Sequence, residues 1–241
     1  MARARGGDGE AKASRGTGRR AGVRSNGAGQ ETRERLLDAA ERLFAERGLD
    51  AVSVRDITAA AGANTAAIHY HFGSKQELVS SILDRRAAWV GARRAARLDE
   101  LEQRDDVALR DVVDALVRPT ADLADDTAGG RQYVALLAAL GAHPELVKLV
   151  IGAYDPYTDR YLHLLARVTP GLDREARLFR FAVGKDLVNR LIGQPNGQVF
   201  VWLDQRGVAV RADLVETLVD LLVGLFEAPL SLGAPGTAPA Y

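Results

Sequence analysis

Residues 52–75, VSVRDITAAAGANTAAIHYHFGSK, leave the chain little choice of local structure. Ser53 followed by Asp56 is a capping box, so a helix begins just after Ser53. Val54, Ile57 and Ala61 fall at i, i+3 and i+7 and give that helix one buried stripe. Gly62 ends it, because glycine takes the left-handed conformation with no Cβ penalty. Asn64 or Thr65 can cap a second helix, whose inward residues are Ala67, Ile68 and Phe72. Gly73 breaks that helix, and Ser74 with Glu77 is a further capping box, so a third begins at Lys75. Two helices of about eight residues around a glycine-containing turn form a helix-turn-helix, whose second helix is built to enter a DNA major groove. Helical pairs of this kind also occur in ordinary bundles.

The sequence around this stretch narrows the choice. From Glu31 to Leu78 it resembles the DNA-binding domain of the TetR/AcrR family of bacterial transcriptional regulators. The resemblance is carried by TRERLLDAAERLFAERGLDAVSVRDITAAAGANTAAIHYHFGSKQEL, above all by LFAERG, SVRDIT and YHFGSKQEL. His69 followed by Tyr70, and Asn64 where serine or threonine is frequent, depart from the family pattern, so base preference does not carry over. By geometry and resemblance, Asn64, Thr65 and Ala66 lie nearest the bases. Asparagine can pair with adenine, and threonine can bond a base or pack on a thymine methyl. His69 and Tyr70, one turn on, are expected at sugar-phosphate. Lys75 adds charge at a helix N-terminus, where phosphate is favoured. Arg55 and Arg33 are further phosphate candidates.

At 241 residues and 47% hydrophobic, the chain can bury a sizeable core. It has no cysteine, which excludes disulfides, thiolate metal sites and cysteine nucleophiles. No apolar run is long enough to span a bilayer, and the basic N-terminus lacks the apolar core of a secretory signal, so a cytoplasmic protein is expected. Net charge is zero. The cations concentrate in residues 1–29, which have almost no large apolar side chain. This segment is expected to be a disordered basic arm, either lying along phosphates or serving as a solvated leader.

The rest reads as helices, and the fold expected is all-α. A three-helix helix-turn-helix domain occupies 30–76, its first helix running from Thr32 to Arg47. A helical effector-binding and dimerisation domain occupies 77–228, and a loose tail follows over 229–241. Pro119 is expected to bend or break one helix and Pro156 to interrupt another. Asp173 caps a helix over 174–193. Residues 194–210 read as loop, with QVFVWLD a short extended piece, and the last helix spans about 211–227.

No nucleophile elbow, phosphate-binding loop or dinucleotide fingerprint appears, so no catalytic residue and no cofactor are assigned. His69 and His71 stand at i, i+2 on different helix faces and cannot share an ion, so no metal site is expected. In the second domain Trp89, Tyr133, Tyr154, Tyr157, His163 and Phe179 are candidates to line a ligand cavity. The alternative for each aromatic is ordinary core. The resemblance implies that the last two long helices pair with those of a second copy, which would set two recognition helices on a palindrome. The function expected is a homodimeric repressor on double-stranded DNA, released from a palindromic operator by a small, largely apolar ligand. The alternative is a helix-turn-helix protein without such an effector, controlled by a protein partner or acting architecturally.

Overall fold

The computed structural model describes residues 21–127, 129–141, 143–209 and 213–229, without the side chains of 21–26 and 153–155. Among the described residues there are ten α-helices and no strand, as the helical periodicities require. Three form the N-terminal unit: α1 (Ala21–Arg47), α2 (Val54–Ala60) and α3 (Thr65–Phe72). The apolar stripe of α1 (Leu36, Leu37, Ala40, Leu43 and Phe44) is fully buried, against Ile57 of α2 and Ile68 of α3 in the same core. Helix α1 starts well before the expected Thr32. Residues 21–29, assigned from composition to a disordered arm, continue its register, and the Thr32 hydroxyl donates back to the Ala28 carbonyl at 2.9 Å. No proline interrupts the ladder there, so a helix already nucleated can propagate backwards. The rest of the arm, residues 1–20, lies outside the described residues, as does the tail from 230 on.

The remaining helices are α4 (Lys75–Glu102), α5 (Leu109–Asp126), α6 (Gly130–Leu140), α7 (Pro144–Val168), α8 (Arg174–Gly193), α9 (Gln198–Asp204) and α10 (Leu214–Glu227). The division expected near residue 76 falls at the start of α4. The buried apolar residues run on from α1 through Leu83 and Val90 of α4 into Val134 of α6, so one continuous core links the two parts.

Both internal prolines are accommodated without ending their helices. Proline at 119 lacks the N–H that would serve the carbonyl of Ala115, four residues earlier. The buried phenol of Tyr161, on α7, donates to that carbonyl at 2.7 Å. Burial pushes the Tyr161 phenol up to about 12, which keeps it a donor at any physiological pH. Pro156 needs no such substitute, because the carbonyl it orphans belongs to exposed Gly152, within reach of water. Replacing Tyr161 by Phe should cost about 1–2 kcal/mol, by leaving a buried carbonyl unbonded. Adding Pro119→Ala should recover much of that loss, since alanine restores the missing N–H. Urea unfolding of the two single variants and the double variant checks this, and additive losses would refute the coupling.

Residues 198–204 form a helix rather than an extended piece. Pro195, Asn196 and Gly197 make the turn that starts it, and the Val201 N–H donates to the Gly197 carbonyl at 3.1 Å. A strand would place Val199, Val201 and Leu203 on one face. Instead the segment buries Phe200 and leaves Val199, Val201 and Trp202 exposed.

Candidate nucleic-acid interface

Helix α2, which leads into the turn before α3, is fixed at both ends by local hydrogen bonds. The Ser53 hydroxyl accepts from the Asp56 N–H at 3.2 Å, and the Asp56 carboxylate accepts from the Ser53 N–H at 2.8 Å, closing the box. The Ser53 hydroxyl, which also donates to that carboxylate, and then the Ser53 N–H hold the Asp56 carboxyl below the usual range. At the other end Gly62 takes φ +61, its N–H reaches the Ala59 carbonyl, and the Ala63 N–H reaches the Thr58 carbonyl. That pair of bonds is the Schellman ending, which needs a left-handed residue where Gly62 stands.

Helix α3 is capped by Asn64, whose Oδ1 accepts from the Ala67 N–H at 2.9 Å. The sequence left Asn64 and Thr65 as equal candidates for this role. Capping draws the Asn64 carbonyl oxygen back over the helix end, which works against a bidentate pairing with adenine. Its NH2 group remains as a donor. Thr65 and Ala66 then open the helix, and both are exposed. His69 and Tyr70 follow at i+4 from each and are also exposed, Tyr70 at 85%. These four residues share one outward face, while Ile68 and Phe72 on the opposite face are buried. His69 Nδ1 lies 3.0 Å from the Gly73 carbonyl. A carbonyl only accepts, so Nδ1 carries the proton of the neutral ring and Nε2 is the nitrogen left for a partner.

The cations assigned to phosphate divide. Arg55 is exposed on α2. Arg33 lies over the Phe72 ring, 5.1 Å from its centroid, and within 3.6 Å of Glu34, so its position is set by packing as much as by charge. Lys75 does not point outward. Its ammonium donates to the carbonyls of Leu49 at 2.6 Å and Val52 at 2.7 Å and sits over the Phe44 ring. Burial lowers its pKa. The long lysine stem lets the charge reach back across the α1–α2 connection, and two carbonyls there need donors. Arg35 was passed over in the sequence, as one of many charged residues on α1. Its guanidinium lies beside the turn at Gly62.

Replacing Lys75 by Met should therefore lower stability by about 1–2 kcal/mol. It should leave the salt dependence of DNA binding unchanged, whereas a phosphate ligand would reduce the slope by about one. A salt titration of the variant by fluorescence anisotropy decides between these.

The aromatic set proposed for a ligand cavity does not converge. Tyr133 is fully buried in the core, Phe179 is 70% exposed and His163 is exposed. Trp89 packs under Arg93, and Tyr157 lies against Gly91, while the side chain of Tyr154 lies outside the described residues. A small internal cavity sits elsewhere, between α4, α5, α6, α7 and α8, lined by residues such as Val90, Arg94, Leu116, Thr120 and Lys185. Helix faces in this domain carry apolar residues on several sides, so aromatic content could not locate it.

Two domain descriptions match the chain in the order that this architecture has. Bacterial regulatory proteins of the tetR family match over residues 36–82, which contain α2, α3 and the turn just described. The tetracyclin repressor-like C-terminal domain matches over 114–184. The chain belongs to the TetR family. Among curated TetR-family relatives, the HTH-type transcriptional regulator TtgR of Pseudomonas putida is 46% identical over 55 residues, 23% of this chain and 26% of that protein. The HTH-type transcriptional repressor KstR2 of Mycobacterium tuberculosis is 37% identical over 87 residues, 36% of each chain. The chain thus spans only about a quarter to a third of these relatives' length in the match. A transcriptional regulator of Rhodococcus sp. RHA1 has the same fold over 80% of this chain and 95% of that one, with a TM-score of 0.56 at 22% identity. No helix among the described residues is long and apolar enough to cross a membrane.

Proposed function

We propose that this protein is a homodimeric transcriptional repressor of the bacterial cytoplasm, which binds a palindromic operator and is released from it by a small ligand. The exposed face of α3 carries the reading. Thr65 and Ala66 are small enough to let the helix end approach base edges, and His69 and Tyr70 stand one turn back, where sugar and phosphate would lie. Tyr70, 85% exposed on this same face, is open to such a contact. The repressor sense follows the name of the KstR2 relative.

Dimerisation is supported by α8 and α10, which pack against each other and still expose Phe179, at 70%, and Leu221, at 51%. Two copies related by a two-fold axis would bury both and present two α3 helices to successive turns of one DNA face. Ligand release is supported by the cavity between α4 and α8, because α4 also packs on α1 and α3. A ligand that favours one arrangement of those helices shifts DNA affinity by its differential binding.

Selection of bound genomic fragments by the purified protein at physiological salt tests the reading. A shared palindrome is expected. Recovery of no common sequence would overturn specific regulation by a dimer.

A further inference from the structure

Helix α9 is an apolar element that its own chain leaves largely uncovered. In seven residues it exposes Val199, Val201 and Trp202, and Val208 is exposed just beyond it. Phe200, its one buried residue, lies outside the continuous core, and α9 packs closely on none of the other described helices. The Trp202 ring is already held in place. The Arg206 guanidinium lies 3.8 Å from its centroid, and Arg206 Nη1 donates to the Trp202 carbonyl at 3.2 Å. Tryptophan and arginine are among the side chains that most often anchor interfaces, and a ring fixed beforehand loses little freedom on docking.

The adjoining helix α8 indicates what covers this patch. Phe179, Val183, Asp186 and Arg190 fall at i, i+4, i+7 and i+11 along one face, and all but half-buried Val183 are exposed. Phe179 stands at one end of the face and α9 follows the other end. Between them are two opposite charges, Asp186 and Arg190, which pair within the helix at 2.7 Å. Such a face is complementary to itself. Two copies laid antiparallel along it, with the two-fold axis at the level of Val188, set Asp186 opposite the partner's Arg190 and Arg190 opposite the partner's Asp186. An axis at either charge would set like against like. The register that satisfies the charges also sets Phe179 opposite the partner's Gly197, where α9 begins. We propose that α9 is a clasp between two copies of this chain, its Val199 and Trp202 closing over the partner's Phe179. This rests on the reading of the protein as a dimer, and it adds a contact outside the α8 and α10 faces, made once at each end of the interface.

Because the chain has no cysteine, cross-linking tests the contact directly. In the full chain carrying Phe179→Cys and Val199→Cys together, a short bis-maleimide should link two protomers. Neither single variant should give that product, because the two copies of either position stand on opposite sides of the axis. Trp202→Glu should weaken the dimer by about thirtyfold or more in sedimentation equilibrium. The far-UV spectrum should not change, since the residue is 53% exposed. Asp186→Arg and Arg190→Asp should each weaken the dimer by setting like charges together, whereas a mixture of those two variants should form heterodimers that restore the pairing. A pair that acted only within its own helix would not favour the mixture. A dimer that gives no cross-link in the double variant, or that Trp202→Glu leaves unchanged, would overturn the clasp and leave the dimer reading standing. A mixture no better associated than its components would overturn the register, and with it the placing of α9 on Phe179. A chain that stays monomeric at every concentration would overturn both the clasp and the dimer.

Discussion

Replacement of Glu41 by Ala is expected to lower stability by about 3 kcal/mol, seen as a drop in Tm of about 6–12 °C for a domain of this size. Glu41 is a carboxylate on α1 that is only 2% exposed. Its two oxygens accept a fork from Arg86 of α4, Nε to Oε1 and Nη2 to Oε2, each at 3.1 Å. Arg85 of the same helix bonds Oε2 as well. Arg86 reaches on to the Thr127 hydroxyl at the end of α5. Gly129, at φ +77, then brings the chain so close that a Cβ there would lie 2.7 Å from Arg86 Nη2. One buried anion thus joins α1, α4 and the α5–α6 corner. Removing it leaves two half-buried guanidinium groups to find other acceptors, and an uncompensated buried charge is the expensive outcome. Asp38 at 2.7 Å and Glu34 at 3.4 Å still serve Arg85, which holds the cost to the lower end of the usual range. A triple variant with Met at 41, 85 and 86 should recover most of the loss, since a packed apolar group of similar volume replaces an ion cluster with little penalty. A Tm change under about 2 °C for Glu41→Ala would show that the cluster contributes no net stability.

That cluster was not legible in the sequence. Nothing in the order of residues says that Glu41 faces inward while Glu46, five positions on, is exposed. What could be read was whatever a few neighbouring residues decide among themselves. The Ser53 box, the Gly62 turn, the Ser74 and Asp173 caps and the α1 stripe are local, and each stands where its side-chain chemistry places it. The whole helix-turn-helix is made of such parts, so its place along the chain follows from the order of residues alone. The features that failed to show depend on partners far along the chain. Pro119 continues its helix because Tyr161 lies over the orphaned carbonyl. Lys75 turns inward because two carbonyls of the α1–α2 connection are within its reach. The cavity holds Arg94 and Lys185, about ninety positions apart, and an aromatic inventory is blind to them. QVFVWLD has the β-branched and aromatic residues of a strand, and only the burial of Phe200 alone, with no strand beside it, makes it helical.

Replacing Ala66 by Glu should weaken operator binding by at least about a thousandfold, the largest effect expected of any single substitution on the α3 face. Ala66 is the second residue of α3 and is exposed, so the change touches no core contact, and stability should stay within about 0.5 kcal/mol. In the bound state a carboxylate there would enter a groove walled by phosphates. Like charges brought together across an interface cost several kcal/mol, and a symmetric dimer would meet that cost at both half-sites. Ala66→Gln has nearly the same bulk without the charge, and should lose much less. Raising the salt concentration should narrow the gap between the two variants, because screening acts on the charge and not on the bulk. Anisotropy titrations of both variants on the selected operator measure these differences directly. Binding of Ala66→Glu within about tenfold of the parent would mean that the N-terminal end of α3 does not face the bases, and the orientation argued from Thr65, His69 and Tyr70 would fall with it.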